Sequence, residues 1–232
     1  MPEALKVSVI VPTMNEEESI GKVMDEINAA LEPVGAYEVL VVDTSSKDRT
    51  REIAKSKGAR IIDEPRRGYG RAYKTGFAEA KGEYLATLDA DCTYPAADIP
   101  KFIKVLETQD VDFISCDRLT TLDKGVMNSK HRFGNWMLKT TTNILFSMKI
   151  ADSQTGMWVF RRSVLPKFEL TSDRMALSEE IKIEAHKHCR FREMPIKYSP
   201  RVGEVKLNTW QDGFGNLMFL FRKKFGRAKP ES

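Results

Sequence analysis

Two aspartates, Asp89 and Asp91, stand one residue apart at the end of the apolar run "EYLATLDAD". On an extended strand, residues i and i+2 point to the same side. Two carboxylates so placed repel each other and are costly to bury uncompensated, so the pair expects a positive partner. Carboxylate oxygens suit a hard divalent cation, Mg²⁺ or Mn²⁺, with water and ligand phosphates filling the other positions. Aspartates also serve ordinary turns, so the weight of this pair depends on the element that carries it.

That element belongs to a series. "KVSVIVP" reads as a buried strand, followed by helical spacing in "NEEESIGKVMDEINAAL". Next come "YEVLVVD" and "SKDRTREIAKSKG", where the serine and Asp48 suit an N-cap and Gly58 a C-cap. "ARIIDE" precedes "GYGRAYKTGFAEAKG", "EYLATLDAD" precedes "AADIPKFIKVLETQ", and "VDFISCDR" closes the run. Continuous apolar strands alternating with helices predict an α/β fold, a Rossmann-like, mostly parallel sheet with helices on both faces. Ligands bind such sheets outside the carboxyl ends of the strands. Four of those ends are polar: "PTMNEE", "DTSSKD", "DADCTYP" and "CDR". Past residue 120 the pattern changes to a mixed apolar and basic helix over 127–149, then "ADSQTGMWVFRRSVL", a helix near 178–189 and the strand-like "RFREMPIKYSP".

Composition narrows the class. The 232 residues are 41% hydrophobic and 30% charged with net charge +4, values of a globular domain with a full core. Three scattered cysteines, Cys92, Cys116 and Cys189, imply no disulfide framework and suit a reducing cytoplasm. No apolar run reaches the roughly 18 to 20 residues of a membrane span, so the chain is expected not to cross a membrane by itself. The tail "FRKKFGRAKPES" holds Arg222, Lys223, Lys224, Arg227 and Lys229. It reads either as a solvated terminus or as a segment drawn to anionic lipid heads or phosphates. The preceding "GFGNLMFLFRKKFG" reads either as a core helix or as an interfacial one. No basic stripe interleaved with aromatics lies outside the tail, so nucleic acid is not an expected partner. "HKHC" is no zinc site on a helix, since i and i+2 point apart. "GYG" lacks the third glycine of the dinucleotide fingerprint and reads as a loop at the nucleotide.

Taken in order, "VSVIVPTMNEEESI", "VLVVDTSSKDRT", "GYGRAYKTGFAEAKGEYLATLDADCTYP", "CDR", "DSQTGMWVFRR" and "PRVGEVKL" resemble the family 2 glycosyltransferases of the GT-A fold across residues 6–207. Within that family the chain is most similar to the polyprenyl-phosphate (dolichyl-phosphate) hexose synthases. Those enzymes transfer one sugar from a nucleotide diphosphate to a lipid phosphate, with inversion at the anomeric carbon. The resemblance implies one domain over 1–232: a nucleotide-binding half to about 120, an acceptor half over about 121–210 and a basic amphipathic tail over about 211–232. It places Pro12, Asn15, Glu16 and Arg67 at the nucleotide. Asp43 matches the first of two aspartates that end the second strand. The second, which typically meets the base, is Thr44, so the donor is expected to be GDP- or UDP-linked without a choice between them.

Asp89 and Asp91 match the family's metal-binding pair, and Thr93 stands where some relatives add a glutamine ligand. Arg118, Arg132 and Asn135 match positions that hold the acceptor phosphate, which makes Asp91, Arg118 and Arg132 the expected catalytic set, with the two arginines interchangeable in effect. Glu179 and Glu180 fall where hydroxyl-acceptor relatives carry a base, although Lys182 beside them suits a solvated helix face equally.

The physical logic agrees. Breaking the donor's glycosidic bond builds charge on the β-phosphate, which a divalent ion stabilises as a Lewis acid. Arg201 and Lys206, in "RVGEVKL", add fixed positive charge there. A sugar hydroxyl acceptor needs a carboxylate base. A lipid phosphate, with its second pKa near about 6, is already mostly dianionic and needs only cations to place it. The leading expectation is an inverting, metal-dependent hexosyltransferase acting on polyprenyl phosphate, held peripherally at the cytoplasmic face of a membrane. The alternatives are a family 2 transferase with a glycan or other hydroxyl acceptor, and an inactive nucleotide-sugar-binding or membrane scaffold protein.

Overall fold

Runs rich in β-branched residues form the strands that the sequence marks. A computed structural model describes residues 4–122, 129–203 and 209–226. β1 (Val7–Thr13), β2 (Tyr37–Asp43), β3 (Arg60–Asp63), β4 (Tyr84–Thr87), β5 (Phe113–Asp117), β6 (Trp158–Arg161) and β7 (Phe191–Pro195) make one sheet in the order β3-β2-β1-β4-β6-β5-β7. The pairs β1–β2, β1–β4, β2–β3 and β5–β7 are parallel. β6 is the exception, running antiparallel to both β4 and β5. It arises from "WVFR", a segment without an element assigned from sequence, and separates the fourth strand from the fifth.

The period-2 alternation of β1 divides the core. Val7, Val9 and Val11 face α1 (Ile20–Leu31) and α4 (Ile99–Thr108), in a cluster that includes Met24, Ile27, Phe102 and Leu106. Ile10 faces the other way, into a cluster with Tyr73 and Phe77 of α3 (Tyr69–Glu79) and Leu177 and Ile181 of α6 (Leu177–His188). Full burial of each such side chain contributes about 1.5–3 kcal/mol, so both faces of the sheet are firmly covered. The short α2 (Thr50–Ser56) joins the first cluster through Ala54.

α3 lies unusually close to the sheet because of a glycine. A Cβ on Gly76 would stand 2.4 Å from Ile10 Cγ2 and 3.2 Å from Val42 Cγ2, both in the sheet. Gly76→Ala is therefore expected to cost about 1–3 kcal/mol through overpacking. The check is a lower urea midpoint at unchanged slope, and an unchanged midpoint would show that α3 has room to move. The "GYG" motif proves to be a helix start and not a loop: Gly68 takes φ 150° as the N-cap, and α3 begins at Tyr69.

Of the two readings open for α6, the solvated face fails. Glu179, Glu180 and Lys182 are all fully buried, Glu180 toward α7 (Thr209–Lys224), Glu179 against Gln154 and Lys182 against the Asp152 carbonyl. Lys223 of α7 reaches in, with Nζ 3.0 Å from both Glu180 and Glu184. α5 (Ser129–Phe146) packs beside α7, and Leu138, Ile183 and Leu220 join the three helices. Among the described residues no helix is long and apolar enough to cross a membrane.

Candidate active site

The loops after β1 and β2 are locked to one another. Asn15 takes a left-handed φ of 54°; its N–H donates to Ser46 Oγ at 2.8 Å and its Oδ1 accepts from Lys47 N at 2.7 Å. Glu16 N donates to Thr50 Oγ1 at 2.7 Å. Asp43 is buried, and its carboxylate accepts from Thr13 Oγ1 and Ser46 N, both at 3.0 Å, with Arg51 at 3.7 Å. Its charge is thus spent holding the loop. Thr44 lies beside it, with its N–H on the Thr13 carbonyl. Pro12 is half-buried in β1, while Arg67 is exposed ahead of α3.

The chain leaves β4 through Asp89, Asp91 and a left-handed Cys92 with φ 62°. Asp91 is 4% exposed, and its Oδ1 accepts from Thr93 Oγ1 at 2.6 Å and Thr93 N at 3.1 Å. Its Oδ2 lies 3.5 Å from Arg201 Nε, and Arg201 Nη2 lies 3.8 Å from Glu16. The segment that carries Arg201 is tied to this turn by Val202 N on the Asp91 carbonyl and Ser199 N on that of Thr93. Asp89 Oδ1 accepts from Tyr73 OH at 3.1 Å, with Tyr69 OH at 3.4 Å. Burial, reinforced by the Asp91 charge, pushes the Asp89 pKa up to about 7.

A buried carboxyl as reluctant to ionise as Asp89, with a second carboxylate beside it, marks a site short of positive charge. Arg201 Nε supplies part of it, buried beside Asp91 without a hydrogen bond among the described residues. No group of three or more His, Cys, Asp or Glu able to hold a metal occurs among the described residues. The protein's contribution here is two carboxylates. That donor set fits Mg²⁺ or Mn²⁺ sharing its shell with phosphate and water, and does not fit a closed zinc site.

The expected acceptor residues divide. Arg118 is 8% exposed and forms a bidentate pair with Asp152, Nε to Oδ2 at 2.7 Å and Nη2 to Oδ1 at 2.9 Å. Its guanidinium also lies 5.3 Å from the Tyr198 ring. Of its three nitrogens only Nη1 is not engaged by Asp152. Burial alone would raise the Asp152 pKa, but the Arg118 charge outweighs it and holds the group at about 2. Arg132 is exposed instead. With Leu119, Leu122, Trp136 and Lys139 it lines a cleft of about 190 Å³, beginning one residue past Arg118. Asn135 is half-buried on the same helix. Lys206 lies outside the described residues.

Neither glutamate on α6 is set up as a base. Glu180 accepts from Thr171 N, Thr171 Oγ1 and Ser172 N and pairs with Lys223. Glu179 accepts from Gln154 Nε2 at 2.7 Å, and burial raises its pKa well above the carboxylate range, toward the protonated form. Sequence reasoning missed Tyr69, Tyr73, Asp152 and Gln154. The i, i+4 spacing of the two tyrosines was a legible signal for a shared face, but what that face would meet depended on β6.

The sequence profile of glycosyl transferase family 2 matches residues 8–168, well over half of the chain. The chain belongs to that family. The transferase is 35% identical over 209 residues to a dolichyl-phosphate hexose transferase of Haloferax volcanii, covering 89% of this chain and 88% of that one. A low-salt glycan biosynthesis hexosyltransferase of the same organism is 36% identical over 216 residues, 92% of this chain; the chain spans about half of that relative, 52% of its length. Among solved structures, glucosyl-3-phosphoglycerate synthase from Mycobacterium tuberculosis, crystallised with Mn²⁺, UDP and glucosyl-3-phosphoglycerate, aligns with a TM-score of 0.73 at 18% identity. That alignment covers 98% of this chain and 82% of the synthase, and it is a likeness of fold.

Proposed function

We propose that this glycosyltransferase moves a hexose from a GDP- or UDP-linked donor to a polyprenyl phosphate of the dolichyl type, with Mg²⁺ or Mn²⁺ at Asp89 and Asp91. The observation that carries the acceptor is the cleft beside β5. Arg132 and Lys139 offer two cations to a phosphate, while Leu119, Leu122 and Trp136 offer an apolar wall to the first isoprene units. A free sugar would not need that wall. The dolichyl-phosphate hexose transferase of Haloferax volcanii supports the same acceptor class.

In this reading a phosphate oxygen of the lipid attacks the anomeric carbon from the face opposite the diphosphate. The new C–O bond forms as the bond to the diphosphate breaks, and the electron pair leaves with the nucleoside diphosphate. No proton has to move, which accords with the satisfied Glu180 and the protonation-prone Glu179. Arg132 and Lys139 orient the attacking phosphate, and Arg201 adds charge at the leaving side. When bound, the divalent ion supplies Lewis-acid stabilisation of the departing diphosphate.

The lipid is reached at a bilayer surface. Phe133, Trp136 and Ile144 of α5, Phe214 and Phe221 of α7 and Phe225 just past its end are exposed, as are Arg222 and Lys224. Such a face suits peripheral seating on anionic headgroups, which we place at the cytoplasmic leaflet. The deciding experiment is to incubate membranes and purified enzyme with a panel of labelled nucleotide-sugars. One label should become lipid-extractable; label appearing only in water-soluble glycan would overturn the lipid acceptor.

Arg132→Ala tests the cleft directly. It is expected to lower transfer to a short-chain polyprenyl phosphate by about 1.5–3 kcal/mol, the size of a charge-assisted hydrogen bond, with nucleotide affinity unchanged. Loss of donor affinity with intact acceptor kinetics would instead assign Arg132 to the nucleotide.

A further inference from the structure

Each carboxylate of the Asp89/Asp91 pair has one oxygen in the grip of a buried hydroxyl. Tyr73 OH donates to Asp89 Oδ1 at 3.1 Å, and Thr93 Oγ1 donates to Asp91 Oδ1 at 2.6 Å. Tyr73 is 0% and Thr93 1% exposed, so water does not compete for either bond. We propose that Tyr73 and Thr93 are positioning residues of the pair: each fixes one carboxylate oxygen and thereby presents the other, Oδ2, toward the divalent ion and the donor's diphosphate. The inference rests on the metal reading of Asp89 and Asp91. It gives Thr93 the role of orienting a ligand, in place of the weak or water-mediated metal coordination that its position suggests.

The surroundings of both hydroxyls are built to hold them still. Tyr73 is set by the close approach of α3 at Gly76 and by rings on three sides: Tyr69 at 4.9 Å, Trp158 at 5.2 Å and Phe77 at 6.0 Å between centroids. Tyr69, one helical turn earlier, brings a second hydroxyl to the same Asp89 oxygen at 3.4 Å. Space for both is kept by Gly156, where a Cβ would stand 2.0 Å from Tyr69 OH and 3.4 Å from Asp89 Oδ1. Gly156 is held in turn by its N–H on Tyr94 OH at 2.7 Å and its carbonyl on Thr87 Oγ1 at 2.7 Å. On the other carboxylate, Thr93 contributes its backbone N–H as well as its hydroxyl, and Ser199 N fixes its carbonyl.

Outer partners of this kind orient metal-binding side chains, and their loss typically weakens metal binding about 10–100-fold. An aspartate with one oxygen engaged also has less rotational freedom to lose when an ion binds.

The test is Mn²⁺ binding to the purified full chain, followed by the loss of the free-ion paramagnetic resonance signal, with Mn²⁺ alone as the probe. Tyr73→Phe and Thr93→Val should each weaken binding about 10–100-fold while circular dichroism and the melting temperature stay close to those of the unmodified chain. Thr93→Ser, which keeps the hydroxyl, should restore affinity. Affinities within twofold of the unmodified chain for both Tyr73→Phe and Thr93→Val would overturn the inference. An unmodified chain that takes up no Mn²⁺ would overturn the metal reading itself, a result distinguishable from the first.

Discussion

Asp91→Asn is expected to abolish hexose transfer and leave the fold intact. An asparagine Oδ1 can still accept the bonds from Thr93 Oγ1 and Thr93 N, so the turn after β4 keeps its internal hydrogen bonds. What disappears is the negative charge at the oxygen facing Arg201 and the proposed ion. Lewis-acid stabilisation of a departing diphosphate is worth several kcal/mol. A loss of about 4 kcal/mol, roughly a thousandfold in kcat/KM, is the least expected. The measurement is transfer to a short-chain polyprenyl phosphate at saturating Mn²⁺, with thermal melting alongside. Near-normal turnover would remove the pair from the chemistry, and EDTA on the unmodified enzyme should reproduce the loss.

Asp89→Asn should share the kinetic defect but differ in stability. The folded pKa of Asp89, about 7, lies above the ordinary carboxylate value of roughly 4. A raised folded pKa contributes stability that is fully present below the unfolded value and is lost as pH rises through about 7. The metal-free enzyme should therefore lose stability across that window. Asparagine mimics the protonated carboxyl and should flatten that dependence.

The sheet was legible because its strands are buried on both faces and so read as apolar runs punctuated by polar ends. The strand-end loops were legible for the same reason: Asn15, Asp43, Asp89 and Asp91 interrupt sequences that otherwise only need to be apolar. β6 was not, since its four residues lie inside a longer mixed segment and its pairing depends on two strands distant in sequence. With β6 unseen, the loop from Asp152 to Gly156 that precedes it had no location. The partners of Arg118, Tyr73 and Glu179 went with it. The charges of α6 misled for a related reason. "SEEIKIE" has the look of a solvated face, and its burial is made tolerable by partners distant in sequence: Lys223 at Glu180 and Glu184, Gln154 at Glu179 and the Asp152 carbonyl at Lys182.

Asp152→Ala is the substitution expected to cost most in stability. The Asp152 carboxylate is fully buried, holds the Arg118 guanidinium through two bonds and the Arg118 backbone N–H through a third, and accepts the Gln154 N–H at 2.9 Å. Lys182, also fully buried, rests its Nζ on the Asp152 carbonyl at 2.8 Å. Removing the carboxylate leaves the buried Arg118 guanidinium without its paired anion and removes one of the negative charges around Lys182. Breaking a buried pair from one side typically costs about 3–5 kcal/mol, which should appear as a large fall in the urea midpoint.

The pH dependence carries its own sign. The folded pKa of Asp152, about 2, lies below the unfolded value of roughly 4. The stabilisation is therefore present above about pH 4 and is lost as pH falls toward 2. The gap between the unmodified chain and Asp152→Ala should narrow over that interval. A loss under about 1 kcal/mol at neutral pH would mean that water replaces the carboxylate and that the pair is not sealed. The same geometry separates the two arginines expected to act alike. Arg118→Ala strands Asp152 and should lose stability together with activity, whereas Arg132→Ala, at an exposed position, should lose activity alone. Asp152→Ala combined with Arg118→Leu should cost less than the sum of the single changes, because the second removes the charge that the first leaves unpaired. If the costs simply add, the two residues do not form a coupled pair, and Arg118 is free to serve the acceptor with its whole guanidinium.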